Sequence, residues 1–368
     1  SSYTGKPIPA DEARDWVDHA AKRVRSLAPD RVLDIGCGLG RTLFRVAPGC
    51  SKYWGADFSK PALDYVKRLL HLLKDPPSDI RFLQASADQL GDVPVESFDV
   101  VILNGVVMYF PSMRYLMDVI ERALALAVQG GHIFIGDIRS LPLLEAFHFS
   151  IALFNADEGM SPGKLREESR LNAMEEDELV VDPRFFDALK LHSPSISRVE
   201  VQLKRGWPLN ELTKFRYDVV IRVGGCGPDE REYDSYHWTN DLMDLEKVRN
   251  ILVDKEPAGL SISCVPNRRV LPELELLKVD DLDKCFRTVD EVKVAMETMR
   301  SEFEDPESFW QLSERYPYDV SVTWSNNGHA GYFEVRFLRR ASKAPVPSLS
   351  NAAELGPEEK SSFTFSRY

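Results

Sequence analysis

One ten-residue run constrains this chain more than any other. Arg31-Val32-Leu33-Asp34-Ile35 passes directly into Gly36-Cys37-Gly38-Leu39-Gly40, and Arg41–Val46 follows with helical character. Branched and leucine side chains favour a buried strand. Three glycines at alternate positions let the backbone turn sharply and pass close beneath a ligand with no Cβ in the way. A strand, a tight turn and a helix in that order open a βαβ unit, so the chain is expected to build a sheet flanked by helices.

The rest of the first 223 residues keeps the same rhythm. Strands are expected at Arg31–Ile35, Lys52–Asp57, Ile80–Gln84, Phe98–Asn104, His132–Ile138, Arg198–Lys204 and Phe215–Val223, seven in all. Between them, Pro61–Lys74 carries Leu63, Val66, Leu69, Leu70 and Leu73 on one helical stripe, and Met113–Val128 carries Leu116, Val119, Ile120, Ala123 and Leu124. Pro9–Leu27 reads as an N-terminal helix with Trp16 and Val17 facing inward. Leu141–Asp177 interrupts the alternation as a helical insertion over one end of the sheet. Four regions result: an N-terminal helical segment (1–30), a core (31–223) with a lid insertion at about 141–197, a small α+β unit (224–340) and a tail or linker (341–368). In the α+β unit, helices are expected around Asp241–Val253 and Val289–Phe303, a strand at Leu260–Val265, and a hairpin Asp319–Ser325/Gly331–Leu338 turned by Asn326-Asn327-Gly328.

Composition narrows the class of partner. The 368 residues carry a net charge of −12, so a nucleic-acid surface would be a local exception. Five cysteines (Cys37, Cys50, Cys226, Cys264, Cys285) are spread without a CxxC pair, which argues against a disulfide framework or structural zinc and fits a reducing cytoplasm. No apolar run is long enough to cross a membrane, and no secretory leader is visible. A start on Ser rather than Met suggests a piece of a larger protein.

The glycine turn fits either a dinucleotide or S-adenosylmethionine, and spacing separates them. In a dinucleotide fingerprint the third glycine or alanine falls where Arg41 stands, and Asp34, two residues before Gly36, would oppose a pyrophosphate. A sulfonium and an ammonium tolerate that carboxylate, which favours the methyl donor. Asp57 ends the second strand 21 residues beyond Gly36, where a carboxylate accepts from both ribose hydroxyls, although Ser59-Lys60-Pro61 also makes it a candidate cap. Asp88, in Ser86-Ala87-Asp88, suits an adenine amino group or is simply a solvated loop acid. Leu103-Asn104-Gly105-Val106-Val107-Met108-Tyr109-Phe110-Pro111 would line the exit beside the methyl. No HxH, HExxH or clustered carboxylate suggests a metal.

Taken in order, VLDIGCGLG, YWGADFS, LNGVVMYFPS, GDIRSLPLLEAF, ELVVDPRFF, NELTKFRYDVV and VPNRRV resemble the methyltransferase domains embedded in nonribosomal peptide synthetases and hybrid polyketide synthases, from Ser2-Tyr3-Thr4-Gly5 to near Arg340. The resemblance implies a class I, Rossmann-like methyltransferase fold with a seven-stranded sheet, an antiparallel last strand and a helical lid. It also implies a substrate presented as a thioester on the phosphopantetheine arm of a carrier protein, beside neighbouring assembly-line domains. Carried over by motif, Asp34, Gly36, Gly38 and Gly40 would hold the donor's methionine end, Asp57 and Phe58 the nucleoside, Asp88 the adenine, and Asn104 with Tyr109 the region of the methyl. The chain departs from relatives acting on amino acid nitrogen, whose loop reads Glu-Ile-Gly-Thr-Gly-Thr-Gly.

The acceptor's proton decides what else the site needs. A hydroxyl gains ~10²–10⁴ from a general base, whereas an aminoacyl nitrogen needs only to be neutral. Among seven histidines, His148 falls on the stretch leaving the fifth strand, with a plain lid position as its bland alternative, and Glu211 precedes the last strand. In the oxygen-methylating domains that the chain resembles, a His and a Glu in these motifs act together. His148 is therefore expected as base with Glu211 as its orienting partner, making oxygen the leading acceptor, nitrogen next and carbon third. Asp137 and Arg139 are expected to pair with each other, and the acids at Glu167, Glu168, Glu175, Glu176, Asp177 and Glu178 to form a solvated face.

Overall fold

A computed structural model describes residues 1–91, 93–157, 159–225, 232–325 and 330–340. Eleven strands form one sheet: β1 (Arg31–Ile35), β2 (Lys52–Asp57), β3 (Asp79–Gln84), β4 (Phe98–Asn104), β5 (Ala127–Arg139), β6 (Ile196–Leu203), β7 (Arg216–Val223), β8 (Asp234–His237), β9 (Gly259–Pro266), β10 (Tyr318–Trp324) and β11 (Tyr332–Arg339). Their order is 3-2-1-4-5-7-6-10-11-9-8. Strands β1 to β5 pair in parallel, and β7 runs antiparallel between β5 and β6. The reversal between β1 and β4 places a crevice above the carboxyl ends of the strands, where open α/β sheets bind their ligands.

Both faces of the central strands are buried, which is why they read as nearly continuous apolar runs. Along β4, Val100 and Ile102 face one side with Val32, Tyr53 and Phe134, against Ala20, Ala21 and Val24 of the helix Ala10–Ser26. Val101 and Leu103 face the other side, with Leu33, Ile133 and Ile135. There the helix Met113–Leu126 buries Leu116, Val119, Ile120 and Ala123 as expected, with Leu126 buried where Leu124, only half-buried, was expected. Each large apolar side chain fully buried in this way contributes about 1.5–3 kcal/mol. Ser112 starts that helix by accepting the Tyr115 N–H at 3.2 Å.

The region beyond residue 224 is not a separate layer. Its strands β8 to β11 continue the same sheet, joined through β10 to β6 at Thr323 and Gln202. Its Leu276, Leu282, Val289 and Val292 pack with Phe149 and Leu153 of the lid helix Leu144–Asn155. The expected strands and hairpin arms are present. Helices Leu271–Leu277 and Pro306–Arg315 and strand β8 are additional. The Asn326-Asn327-Gly328 turn, Cys226 and the 341–368 tail lie outside the described residues. Among the described residues no helix is long and apolar enough to cross a membrane.

Candidate active site

The glycine turn is stitched to β2 by its own backbone. Gly36 N and Cys37 N donate to Ala56 O at 2.7 and 3.1 Å. Gly36, Gly38 and Gly40 all have positive φ (+74°, +50°, +73°), where a side chain is strained. A Cβ on Gly36 would sit 2.3 Å from Val106 Cγ1, and one on Gly40 3.2 Å from Val66, so these two glycines allow close packing. A Cβ on Gly38 would meet nothing nearer than 4.0 Å and would instead project into open space.

That space is a cavity of about 570 Å³ over the carboxyl ends of β1, β2 and β4. Gly38, Asp57, Phe58, Ser86, Val106 and Tyr109 are among its lining residues. Asp57 Oδ2 accepts the Gly38 N–H and Oδ1 the Ser59 N–H, both at 2.8 Å. A carboxylate offers about four lone-pair sites, so both oxygens keep capacity toward the cavity. The helix Lys60–Leu69 is capped by Ser59, whose hydroxyl accepts from Ala62 N, so Asp57 is spared that task. Phe58 and Tyr109 stand at the rim, 78 % and 74 % exposed, as two ring faces beside the opening.

Asp88, expected at the adenine, is not among the residues lining the cavity: the cavity is bordered by Ser86, Ala87 and Tyr115 instead, and Asp88 is turned to the Tyr115 hydroxyl. Hydrogen bonds from Ser86 and from Tyr115, whose hydroxyl is 2.7 Å away, hold its carboxyl below the usual range. Asn104 ends β4 with its amide oxygen buried and without a protein partner. Such an orphaned acceptor costs roughly 1–3 kcal/mol until a donor reaches it.

Several expected placements are corrected. Asp34 does not line the cavity: strand alternation puts it on the same face as Val32, beneath the loop, where its carboxylate accepts the Tyr53 hydroxyl at 2.7 Å. Burial pushes its pKa up to about 7. His148 does not meet Glu211. Its Nε2 is 3.2 Å from Glu176 Oε2, while Glu211 Oε2 accepts the Ser2 N–H at 2.7 Å. The helix explains the split, because positions 148 and 150 point to different faces, and Ser150 is the one on the side of Lys214 and Tyr3.

Glu176 is therefore no solvated acid. Arg139 donates to it at 2.6 Å and to Glu178 at 2.7 Å. Burial would raise the Glu176 pKa, but the Arg139 and backbone hydrogen bonds overcome that and hold it at about 2. Burial lowers the His148 pKa below its ordinary value, with Glu176 opposing. Asp137 and Arg139 do not pair either. Asp137 has φ +67° beside a register shift in β5, which breaks the alternation and turns its carboxylate to Trp16, 2.9 Å away, and to Arg216. Glu176, Trp16 and Arg216 are the residues of this end that spacing alone did not single out, although the inward placement of Trp16 was legible.

Within this sheet the seven strands 3-2-1-4-5-7-6, of which β7 alone is reversed, and the cavity over the glycine turn define a class I methyltransferase fold. Residues 33–133 match the family model described as a methyltransferase domain. Chondramide synthase cmdD of Chondromyces crocatus is 35 % identical over 95 % of this chain and 9 % of its own length. The nonribosomal peptide synthetase asqK of Emericella nidulans is 33 % identical over 88 % of this chain and 13 % of its own. A solved structure, the N-methyltransferase NodS of Bradyrhizobium japonicum with S-adenosyl-L-homocysteine, aligns at 14 % identity over 58 % of this chain and 86 % of that one, with a TM-score of 0.40. The chain thus carries a methyltransferase domain and is similar to a stretch of nonribosomal-peptide-synthetase-type proteins, spanning only about a tenth of the two synthetases just named.

The residues present fit S-adenosylmethionine. Gly38 keeps its part of the cavity open, Asp57 has free acceptor capacity for ribose hydroxyls and Phe58 offers a ring face, whereas Asn104 does not line the cavity and its orphaned oxygen faces Gly136. Among the described residues no group of His, Cys, Asp and Glu could hold a metal ion.

Proposed function

We propose that this chain methylates the nitrogen of an aminoacyl intermediate held as a thioester on a carrier protein. One observation carries the choice of nitrogen. Among the described residues lining the cavity the titratable side chains are Asp57, Tyr109 and Tyr115, and the acceptor capacity that Asp57 keeps beyond its two backbone N–H groups is the part assigned to the donor's ribose. A neutral amine brings its own lone pair and needs no strong base, whereas a hydroxyl does. The relatives named as peptide synthetases support the same reading, since every aminoacyl unit carries such a nitrogen.

Bound S-adenosylmethionine supplies an already activated methyl group. The chain's task is then alignment: Asp57 and Phe58 fix the nucleoside, and Tyr109 forms the rim over which the acceptor enters. Holding two reactants in attack geometry is worth up to about 7–11 kcal/mol.

A second reading, oxygen as acceptor, is favoured by one contact. Because Glu176 is ionised, His148 donates Nε2–H to it, which leaves Nδ1 as a proton acceptor. Intact-mass spectrometry of carriers loaded with amino acids or with hydroxy acids separates the two. The nitrogen reading expects one added methyl on the aminoacyl carriers, and less than a tenfold loss in His148→Ala. Methylation confined to hydroxyacyl carriers, with a His148→Ala loss of ~10²–10⁴, would transfer the assignment to oxygen.

A further inference from the structure

The helix Ala10–Ser26 crosses one face of the sheet and buries Ala20, Ala21 and Val24 against Val32, Val100 and Ile102. Trp16 lies one turn before Ala20 on the same side, which carries it to the carboxyl end of the strands. There its indole faces the wall of the donor cavity from outside. Gly105 lines that cavity, and a Cβ on Gly105 would lie 3.8 Å from both Cζ2 and Cη2 of Trp16. Gly105 has φ +70° and no side chain of its own to anchor it. Its N–H donates to Gly136 O at 3.0 Å. Trp16 reaches the strand of that acceptor as well, because its Nε1–H donates to Asp137 Oδ1 at 2.9 Å, one residue beyond Gly136. One side chain of the N-terminal helix thus stands beside both partners of the Gly105–Gly136 hydrogen bond.

Asp137 depends on such contacts. A non-glycine residue at φ +67° is strained and keeps that conformation only where its surroundings fix it. Arg216 and Lys204 hold the carboxylate by charge, and Asp218 accepts the Asp137 N–H at 2.8 Å. These three belong to β7 and to the end of β6, which continue the sheet beyond β5. Trp16 differs from them in coming from a helix on the sheet face and in facing Gly105 as well. The helix itself is fixed at both ends, since Glu12 accepts from Asn210 at 2.5 Å and Arg23 donates to Asp218.

We propose that Trp16 is a positioning residue of the donor site: by its ring and through Asp137 it fixes Gly105 in the cavity wall, so that the N-terminal helix takes part in cofactor binding besides covering the sheet. The inference goes beyond the choice of acceptor and holds for nitrogen and oxygen alike. Its consequence is measurable as lost preorganisation. Without the indole, the ligand must order Gly105 as it binds, and fixing the backbone of one residue is equivalent to roughly 5- to 30-fold in a binding constant.

The test compares Trp16→Ala with Val24→Ala, a fully buried position of the same helix that packs on β1 and β4. Both changes should lower Tm. Only Trp16→Ala should weaken S-adenosylhomocysteine, by roughly 5- to 30-fold in isothermal titration well below either melting point. Hydrogen exchange of the Gly105 amide in the ligand-free chain should accelerate in Trp16→Ala and stay unchanged in Val24→Ala. Trp16→Phe, which removes the N–H and keeps a ring in place, should accelerate that exchange too, and it carries the test if Trp16→Ala does not fold. An affinity within about twofold of wild type in folded Trp16→Ala, or an equal loss in Val24→Ala, overturns the proposal. So does an unaltered Gly105 exchange rate in every folded Trp16 variant.

Discussion

Replacing Asp57 with Asn keeps the shape of the side chain and removes one oxygen's worth of acceptance together with the charge. In the native site Oδ2 takes the Gly38 N–H and Oδ1 the Ser59 N–H, each at 2.8 Å. An amide has one oxygen, so one of those two N–H groups must face an NH2, donor against donor. The same loss falls on the ligand, because two ribose hydroxyls that could each donate to a carboxylate oxygen find one acceptor at most. A hydrogen bond to a charged group is worth about 1.5–3 kcal/mol, and 1.4 kcal/mol is a factor of ten, so affinity for S-adenosylhomocysteine should fall by roughly 10- to 150-fold. Isothermal titration measures that, and a melting curve separates it from the few-degree drop in Tm expected from the lost loop contact. An affinity within threefold of wild type, in a folded Asp57→Asn chain, would show that the carboxylate only staples the loop and would remove it from the donor site.

Two further outcomes follow from the same end of the sheet. Gly36→Ala places a methyl 2.3 Å from Val106 Cγ1 at φ +74° and should destabilise by about 2–4 kcal/mol; Val106→Ala should recover the steric part, so additive losses in urea unfolding would contradict the packing argument. Asp34 has its pKa raised from 3.8 to about 7, so the folded chain keeps a proton that the unfolded chain has released, and stability falls as pH rises through the window from about 4 to 7. Asp34→Asn cannot titrate yet still accepts from Tyr53, so its unfolding midpoint should decline less than that of wild type between pH 5 and pH 8. Equal declines in the two chains would refute the burial account.

What the sequence made legible here was what neighbouring residues decide among themselves. The glycine turn, the strands β1 to β7 and the helix Met113–Leu126 follow from alternation, helical period and positive φ, all of which act over a few residues. The boundary expected near residue 224 was drawn where the βα rhythm stops. The sheet nevertheless runs on through the β6–β10 junction, because hydrogen bonding along an open strand edge depends on what arrives in space. Strand β8, only four residues long and with Tyr236 as its single large apolar ring, carries no periodic signal strong enough to announce itself.

The site divides along the same line. Asp57 and Phe58 reach the cavity because they end a strand beside the glycine turn, and a strand end fixes position without help from elsewhere. The partner of His148 is set instead by which face of a helix meets which loop. Six acids in a polar stretch look alike in sequence, yet Glu176 alone among them is joined to both Arg139 and His148, and its carboxyl drops to about 2 as a result. Arg139 points there because β5 loses its regular alternation at Asp137, which turns the Asp137 carboxylate toward Arg216 and Trp16 and leaves the guanidinium for the lid. One positive φ in a non-glycine residue thus decides two ion pairs, and through them the orientation of the imidazole. A backbone irregularity of that kind costs of order 1–3 kcal/mol and persists only where surrounding contacts hold it. Trp16, Arg216, Lys204 and the Asp218 carboxylate that accepts the Asp137 N–H are those contacts, drawn from three separate stretches of chain.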